Sequence, residues 1–228
     1  MKKYNLLSFF AGCLLLLSCD DSQNKNIDIT TVDKPSVATT NTNYVSNRAP
    51  LAPSALIKLP LGAIKPGSWL KESLQRQADG LMGNLGEISA WLQKDDNAWL
   101  SDDGTGAWGW EEVPYWLKGY ANTGYILQDS SMIKESQIWF EAALKSQRED
   151  GNFGPKMFSD RDGSQDFWSN MIMLYCLQSY YEATQDERVI DLMTKYFKYQ
   201  NSVPDDKMLS GVHYWQTLRG GDNLYSVI

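Results

Sequence analysis

A repeat constrains this chain more than any single motif. The segments GYILQDSSMIKESQIWF and SYYEATQDERVIDLMTKYF align with a shift of 57 residues. Gln128-Asp129 falls on Gln185-Asp186, Met132-Ile133 on Val189-Ile190, and Trp139-Phe140 on Tyr196-Phe197. Each copy reads as the end of one helix, a short turn carrying Asp, and a second amphipathic helix. A helical hairpin cannot bury its apolar face alone and stacks on its neighbours. Two such hairpins belong either to a solenoid or to a closed ring of hairpins, an α/α toroid.

The rest of the folded part also reads as helices. Pro66-Gly67-Ser68 precedes WLKESLQRQADGL, with Ser68 as the expected N-cap and Leu70, Leu74, Ala78 and Leu81 at helical spacing. Further helices are expected over Glu112–Leu127, Ser131–Arg148, Phe167–Ala183 and Asp186–Gln200, and another opens after Asp222-Asn223. Pro114 is tolerated in a first turn, where its missing N–H has no partner to lose. No stretch alternates with period two, so little sheet is expected.

The N-terminal residues carry a different signal. Lys2 and Lys3 precede a mostly apolar run from Leu6 to Leu17, too short to span a bilayer comfortably. It ends in Leu16-Leu17-Ser18-Cys19, which resembles a bacterial lipoprotein cleavage box. Residues 1–18 therefore read as a signal peptide and Cys19 as the lipidated first mature residue, anchoring the chain to a lipid bilayer. Asp20 and Asp21 resemble a surface-export signal, which implies the outer membrane or cell surface, with the periplasmic side as the other setting. Residues 19–55, rich in Asn, Thr, Ser and Asp, read as a disordered tether. Residues 56–228 remain as the folded domain, enough for one core.

Charge and cysteine usage narrow the function. The formal net charge is −7 with no basic cluster, which argues against nucleic acid as a partner. Cys13 lies in the signal peptide, Cys19 is assigned to lipid, and Cys176 is left alone in an apolar run, so no disulfide framework and no cysteine pair for a metal exists. The single histidine, His213 between Val212 and Tyr214, reads as packed or at the surface.

The loops GAWGWEE, REDGNFGP, SDRDGSQDFWSN and LRGGDN mix glycine with acidic or amide groups, and three of them carry large rings. In a toroid, alternate loops gather at one end, and rings with carboxylates and amides suit carbohydrate. Solvated loops seldom expose Trp108, Trp110, Phe153 and Trp168 without a ligand. Glu111 and Glu112 open a helix, where acidic groups gain about 0.3–1 kcal/mol from the helix dipole. The same position would let one of the pair bind substrate hydroxyls. Their side chains diverge by about 100°, so both cannot face one sugar atom. Asp166, Trp168 and Asn170 form a second candidate group, in which Asp166 also reads as an N-cap. Arg219, Asp222 and Asn223 form a third, beside the sharp turn permitted by Gly220-Gly221.

The stretches WEEVPYWLKGY, WFEAALKSQREDGNFGP, MLYCLQSYYEATQDERVIDLMTKYFKYQ and RGGDNLYSV resemble the N-terminal part of the β-L-arabinofuranosidase-type glycoside hydrolases, family 127 and its relatives, over roughly Ile64 to Val227. The resemblance implies an (α/α)6 catalytic barrel followed by β-rich domains, and hydrolysis of glycosidic bonds in plant-type glycans. It also implies a cysteine nucleophile beside a zinc ion held by Cys and Glu, with a further Glu as acid/base. Those residues lie downstream in the family and match no position here. The expectation is thus an all-α, incomplete (α/α)6 toroid, a fragment inactive by itself and without a metal ligand of its own. A non-catalytic glycan-binding surface lipoprotein is the alternative.

Overall fold

The computed structural model describes residues 49–53, 56–156, 166–209 and 214–227. The chain divides into two units, residues 1–36 and 37–228, and the described residues all belong to the second. The signal peptide, Cys19 and most of the tether lie outside the described residues, as does His213.

The fold is all-α, and the described residues contain no strand beyond one isolated bridge between Asn97 and Trp108. Its helices are α1 (Ser68–Asp79), α2 (Leu81–Ile88), α3 (Glu112–Leu127), α4 (Ser130–Lys145), α5 (Trp168–Thr184), α6 (Arg188–Ser202), α7 (Tyr214–Leu218) and α8 (Gly220–Tyr225), with a 3-10 turn at Ala90–Leu92.

The repeat read from sequence is a repeat in three dimensions. α3 and α5 both end on a glutamine in the left-handed conformation, Gln128 at φ 59° and Gln185 at φ 58°. The aspartate that follows each glutamine binds the start of the next helix. Asp129 accepts from the backbone N–H groups of Ser131 and Met132 at 2.9 and 3.0 Å. Asp186 accepts from that of Arg188 at 3.1 Å. The paired positions Met132 and Val189 are buried, as are Trp139 and Tyr196. Two hairpins, α3–α4 and α5–α6, thus share one design. α3 packs along α5 and against α4, while α6 packs on both α5 and α4. Phe140 of α4 stacks on Tyr180 of α5 with centroids 4.4 Å apart, filling the seam between hairpins. α5 is buried on most sides, as its nearly unbroken apolar run predicts.

The first helical segment differs from its expected form. It is two helices rather than one, and Gly80, at φ −96° and ψ −149°, breaks the run before Leu81. Ser68 is not the cap. It is the first helical residue, with Gly67 at the N-cap and no side-chain cap bond. None of the residues of α1 is buried, and Trp69 is 73% exposed. Leu224, Tyr225 and Val227, near the other end of the described chain, are likewise exposed.

The long connection before α3 folds inward around Trp99. The Trp99 indole Nε1 donates to the Trp110 carbonyl at 2.9 Å. Gly154 sits at φ +69° against the same ring, where an added Cβ would lie 2.6 Å from it. The backbone N–H of Lys156 donates to the Gly104 carbonyl at 2.7 Å, tying the two loops together.

Candidate functional site

The N-terminal ends of α3, α5 and α8 converge. Glu111 precedes α3, Trp168 opens α5, and Arg219 precedes α8. The Trp168 indole Nε1 donates to Glu111 Oε2. The Arg219 guanidinium lies over the Trp168 ring, 4.1 Å from its centroid. Its Nη1 stands 3.9 Å from the same Glu111 Oε2. Three residues far apart in sequence therefore close a triangle: carboxylate to indole, indole face to guanidinium, guanidinium to carboxylate. The parallel course of α3 and α5, set by the hairpin repeat, brings their two starts together.

Tyr115 and Asp222 border this triangle. The Tyr115 ring meets Trp168 edge-on at 6.0 Å. Desolvation raises its phenol above the ordinary range, with the Glu111 charge adding to the shift. Asp222 Oδ1 accepts from the Tyr175 hydroxyl at 2.7 Å, a bond that joins α8 to the middle of α5. Burial raises the Tyr175 phenol, and the Asp222 bond adds to it. Glu112 diverges from its neighbour as adjacent helical residues must. Its Oε2 is sealed from solvent and makes no hydrogen bond among the described residues.

The remaining candidates are placed differently. The Asp166 carboxylate accepts from the Trp168 backbone N–H at 3.0 Å, the capping-type contact read as its alternative. Asn170 is buried and its amide donates to the Phe153 carbonyl at 2.8 Å. Asn223 and Gln200 exchange two amide hydrogen bonds, each 2.9 Å, inside the core. Trp108 is half-buried and meets Trp91 edge-on at 5.4 Å. Trp110 is half-buried against the core. The expectation that loop rings stand open to a ligand is corrected here. Phe153 is fully buried and Trp168 only 5% exposed, because both rings complete the core beneath their loops. Sequence reasoning named Arg219 but missed its stacking on Trp168, and it missed Tyr115 and Tyr175 altogether.

Among the described residues, no group of three or more His, Cys, Asp or Glu side chains is placed to hold a metal ion. Cys176 is buried in α5, where its Sγ–H donates a hydrogen bond to the Pro114 carbonyl oxygen at 3.3 Å. Burial pushes its thiol well up, opposite to what a thiolate ligand or nucleophile requires. The described residues do not fit a zinc ion.

A family model described as beta-L-arabinofuranosidase, GH127 catalytic domain, matches residues 36–224. No curated protein and no solved structure matches the chain.

Proposed function

The chain belongs to the beta-L-arabinofuranosidase GH127 catalytic-domain family, and from that premise we propose that the Glu111–Trp168–Arg219 triangle holds the sugar of an L-arabinofuranoside in plant-type glycans. The observation that carries this reading is the shared Glu111 oxygen. One carboxylate, fixed by an indole N–H on one side and faced by a guanidinium on the other, is preorganised at a helix start. A held carboxylate accepts from sugar hydroxyls, a guanidinium donates to them, and neither must be reoriented when the ligand arrives.

In this reading the residues described here bind and orient substrate. Cys176 takes no part as a nucleophile, since its thiol is buried and held protonated. We further propose that the protein is secreted and lipid-anchored at the bacterial outer membrane or cell surface through Cys19, on the strength of the apolar run ending in Leu-Ser-Cys. Incorporation of labelled palmitate by the wild type and not by Cys19→Ala supports the anchor, and equal labelling of both excludes it.

Calorimetric titration with methyl β-L-arabinofuranoside tests the binding site. Glu111→Gln keeps an acceptor for the Trp168 indole but removes the charge. It is expected to weaken binding by about tenfold or more, the size of one charge-assisted hydrogen bond. Equal affinity in wild type and Glu111→Gln would contradict the assignment.

A further inference from the structure

Arg219 reaches Trp168 from a backbone that its own helix does little to fix. α8 has six residues and opens on Gly220-Gly221. Helices this short are marginal in isolation, and glycine weakens them further. An added Cβ at Gly221 would meet nothing within 4 Å, so the turn is not closely packed there.

The turn is fixed one step further on. The Asp222 N–H donates to the Arg219 carbonyl at 2.9 Å, so the placing of Asp222 sets that of Arg219. The Tyr175 hydroxyl donates to Asp222 Oδ1 at 2.7 Å and lies 3.1 Å from the Asp222 carbonyl oxygen, gripping the side chain and the backbone of one residue. The Tyr175 ring is itself held. Tyr225 meets it edge-on at 5.3 Å, and Lys118 Nζ stands 5.6 Å from its centroid. Burial raises the phenol first and the Asp222 bond adds to the shift, so the proton stays on Tyr175.

Trp168 and Tyr175 are seven residues apart on α5, two turns along one face and about 10 Å along the axis. α5 therefore grips the start of α8 at two points, Asp222 through a hydroxyl and Arg219 through an indole face. The other clamp on α8, the paired amides of Asn223 and Gln200, ties it to α6 rather than to the helix that carries Trp168.

We propose that Tyr175 is a positioning residue of the sugar site: through Asp222 it sets the start of α8 so that the Arg219 guanidinium lies over Trp168 and faces Glu111. The consequence for sugar rests on the Glu111–Trp168–Arg219 reading; the placing of Arg219 by Tyr175 does not.

A guanidinium over an indole face is shielded by the ring current, so the Arg219 Nε–H resonance reports its position without ligand. In a nitrogen-15 spectrum of the full chain it is identified by its loss in Arg219→Lys and should lie upfield. Tyr175→Phe, which removes one oxygen, should move it back to the position of an exposed arginine. Asp222→Ala breaks the same bond from the other side and decides the matter if Tyr175→Phe disturbs folding. Asp222→Asn, which keeps an acceptor, should restore the upfield position. Tyr180→Phe is the control. It removes a hydroxyl from the same helix, one that donates to Asp186 at 3.0 Å and accepts from Gln137 at 2.9 Å, and should leave the Arg219 resonance fixed. Calorimetry with methyl β-L-arabinofuranoside should show Tyr175→Phe binding about fivefold or more weakly than wild type, the size of one hydrogen bond. The proposal is overturned if the resonance stays upfield in Tyr175→Phe and Asp222→Ala, or if Tyr180→Phe moves it equally. It is also overturned if Glu111→Gln weakens sugar binding and Tyr175→Phe does not. A resonance displaced in Tyr175→Phe, with affinity unchanged by both Tyr175→Phe and Glu111→Gln, would instead overturn the sugar reading of the triangle and leave the placing of Arg219 standing.

Discussion

Arg219 lays its guanidinium over the face of Trp168, 4.1 Å from the ring centroid, while both groups engage the same Glu111 oxygen. This contact joins the start of α8 to the start of α5. The guanidinium is partly exposed, so its attraction to Glu111 is screened, and the ring contact dominates. Arg219→Ala is expected to cost about 1–2 kcal/mol in urea unfolding. Arg219→Lys should recover less than half of this, because an ammonium cannot stack as a planar fork does. Full recovery by lysine would show that charge alone matters.

The hairpin repeat makes a prediction at Gln128 and Gln185. Both occupy left-handed backbone that favours glycine, at φ 59° and 58°. Gln128→Gly and Gln185→Gly should each stabilise the fold by about 0.5–1 kcal/mol, and the double variant should add the two. A destabilised single variant would show that the glutamine side chain outweighs its backbone strain.

Gly154 should behave in the opposite way. Its φ is +69°, and an added Cβ would meet the Trp99 ring at 2.6 Å. Gly154→Ala is expected to destabilise by more than about 2 kcal/mol, since strain and overpacking act together. Thermal unfolding followed by near-ultraviolet circular dichroism, which reports the tryptophan environment, checks this. An unchanged Tm would mean that the loop yields freely.

These cases show what the sequence made legible. The α3 boundaries are read correctly because Glu112 and Pro114 mark its start and the apolar spacing carries through to Leu127. The 57-residue shift was visible because Gln-Asp and the paired rings serve the same local geometry in both hairpins. The break at Gly80 was hidden, since Leu81 continues the helical spacing although the backbone does not. The direction of the loop rings was hidden too, because composition cannot tell a ring that stacks on a ligand from one that seals a core, as Phe153 does. The Trp168–Arg219 contact joins residues far apart in the chain and follows from tertiary packing alone.

Acid should weaken the second hairpin through one guanidinium. Arg188 contacts Asp186 and Glu141, each at 2.6 Å. Its hydrogen bonds hold the Asp186 carboxyl at about 2 and lower that of Glu141 as well. Both carboxyls ionise more readily in the folded state than in the unfolded chain, where values of about 3.9 and 4.3 apply. Their contribution is therefore present above about pH 4 and is lost as pH falls toward about 2. Urea midpoints of the wild type should drop across that window more steeply than those of Arg188→Gln. Parallel pH profiles would rule out this cluster as a source of acid sensitivity.

The central claim is that the sugar is held where Trp168 meets Glu111, and the Trp168 indole N–H reports on that contact directly. Its resonance in a nitrogen-15 spectrum is identified by its loss in Trp168→Phe. Titration with methyl β-L-arabinofuranoside should shift this resonance saturably, because a ligand that bonds Glu111 alters the oxygen to which the indole donates. Glu111→Gln should leave the resonance in place and move the midpoint of its titration to about tenfold higher ligand concentration or beyond. Saturable binding that moves other indole resonances and leaves that of Trp168 fixed would contradict the account.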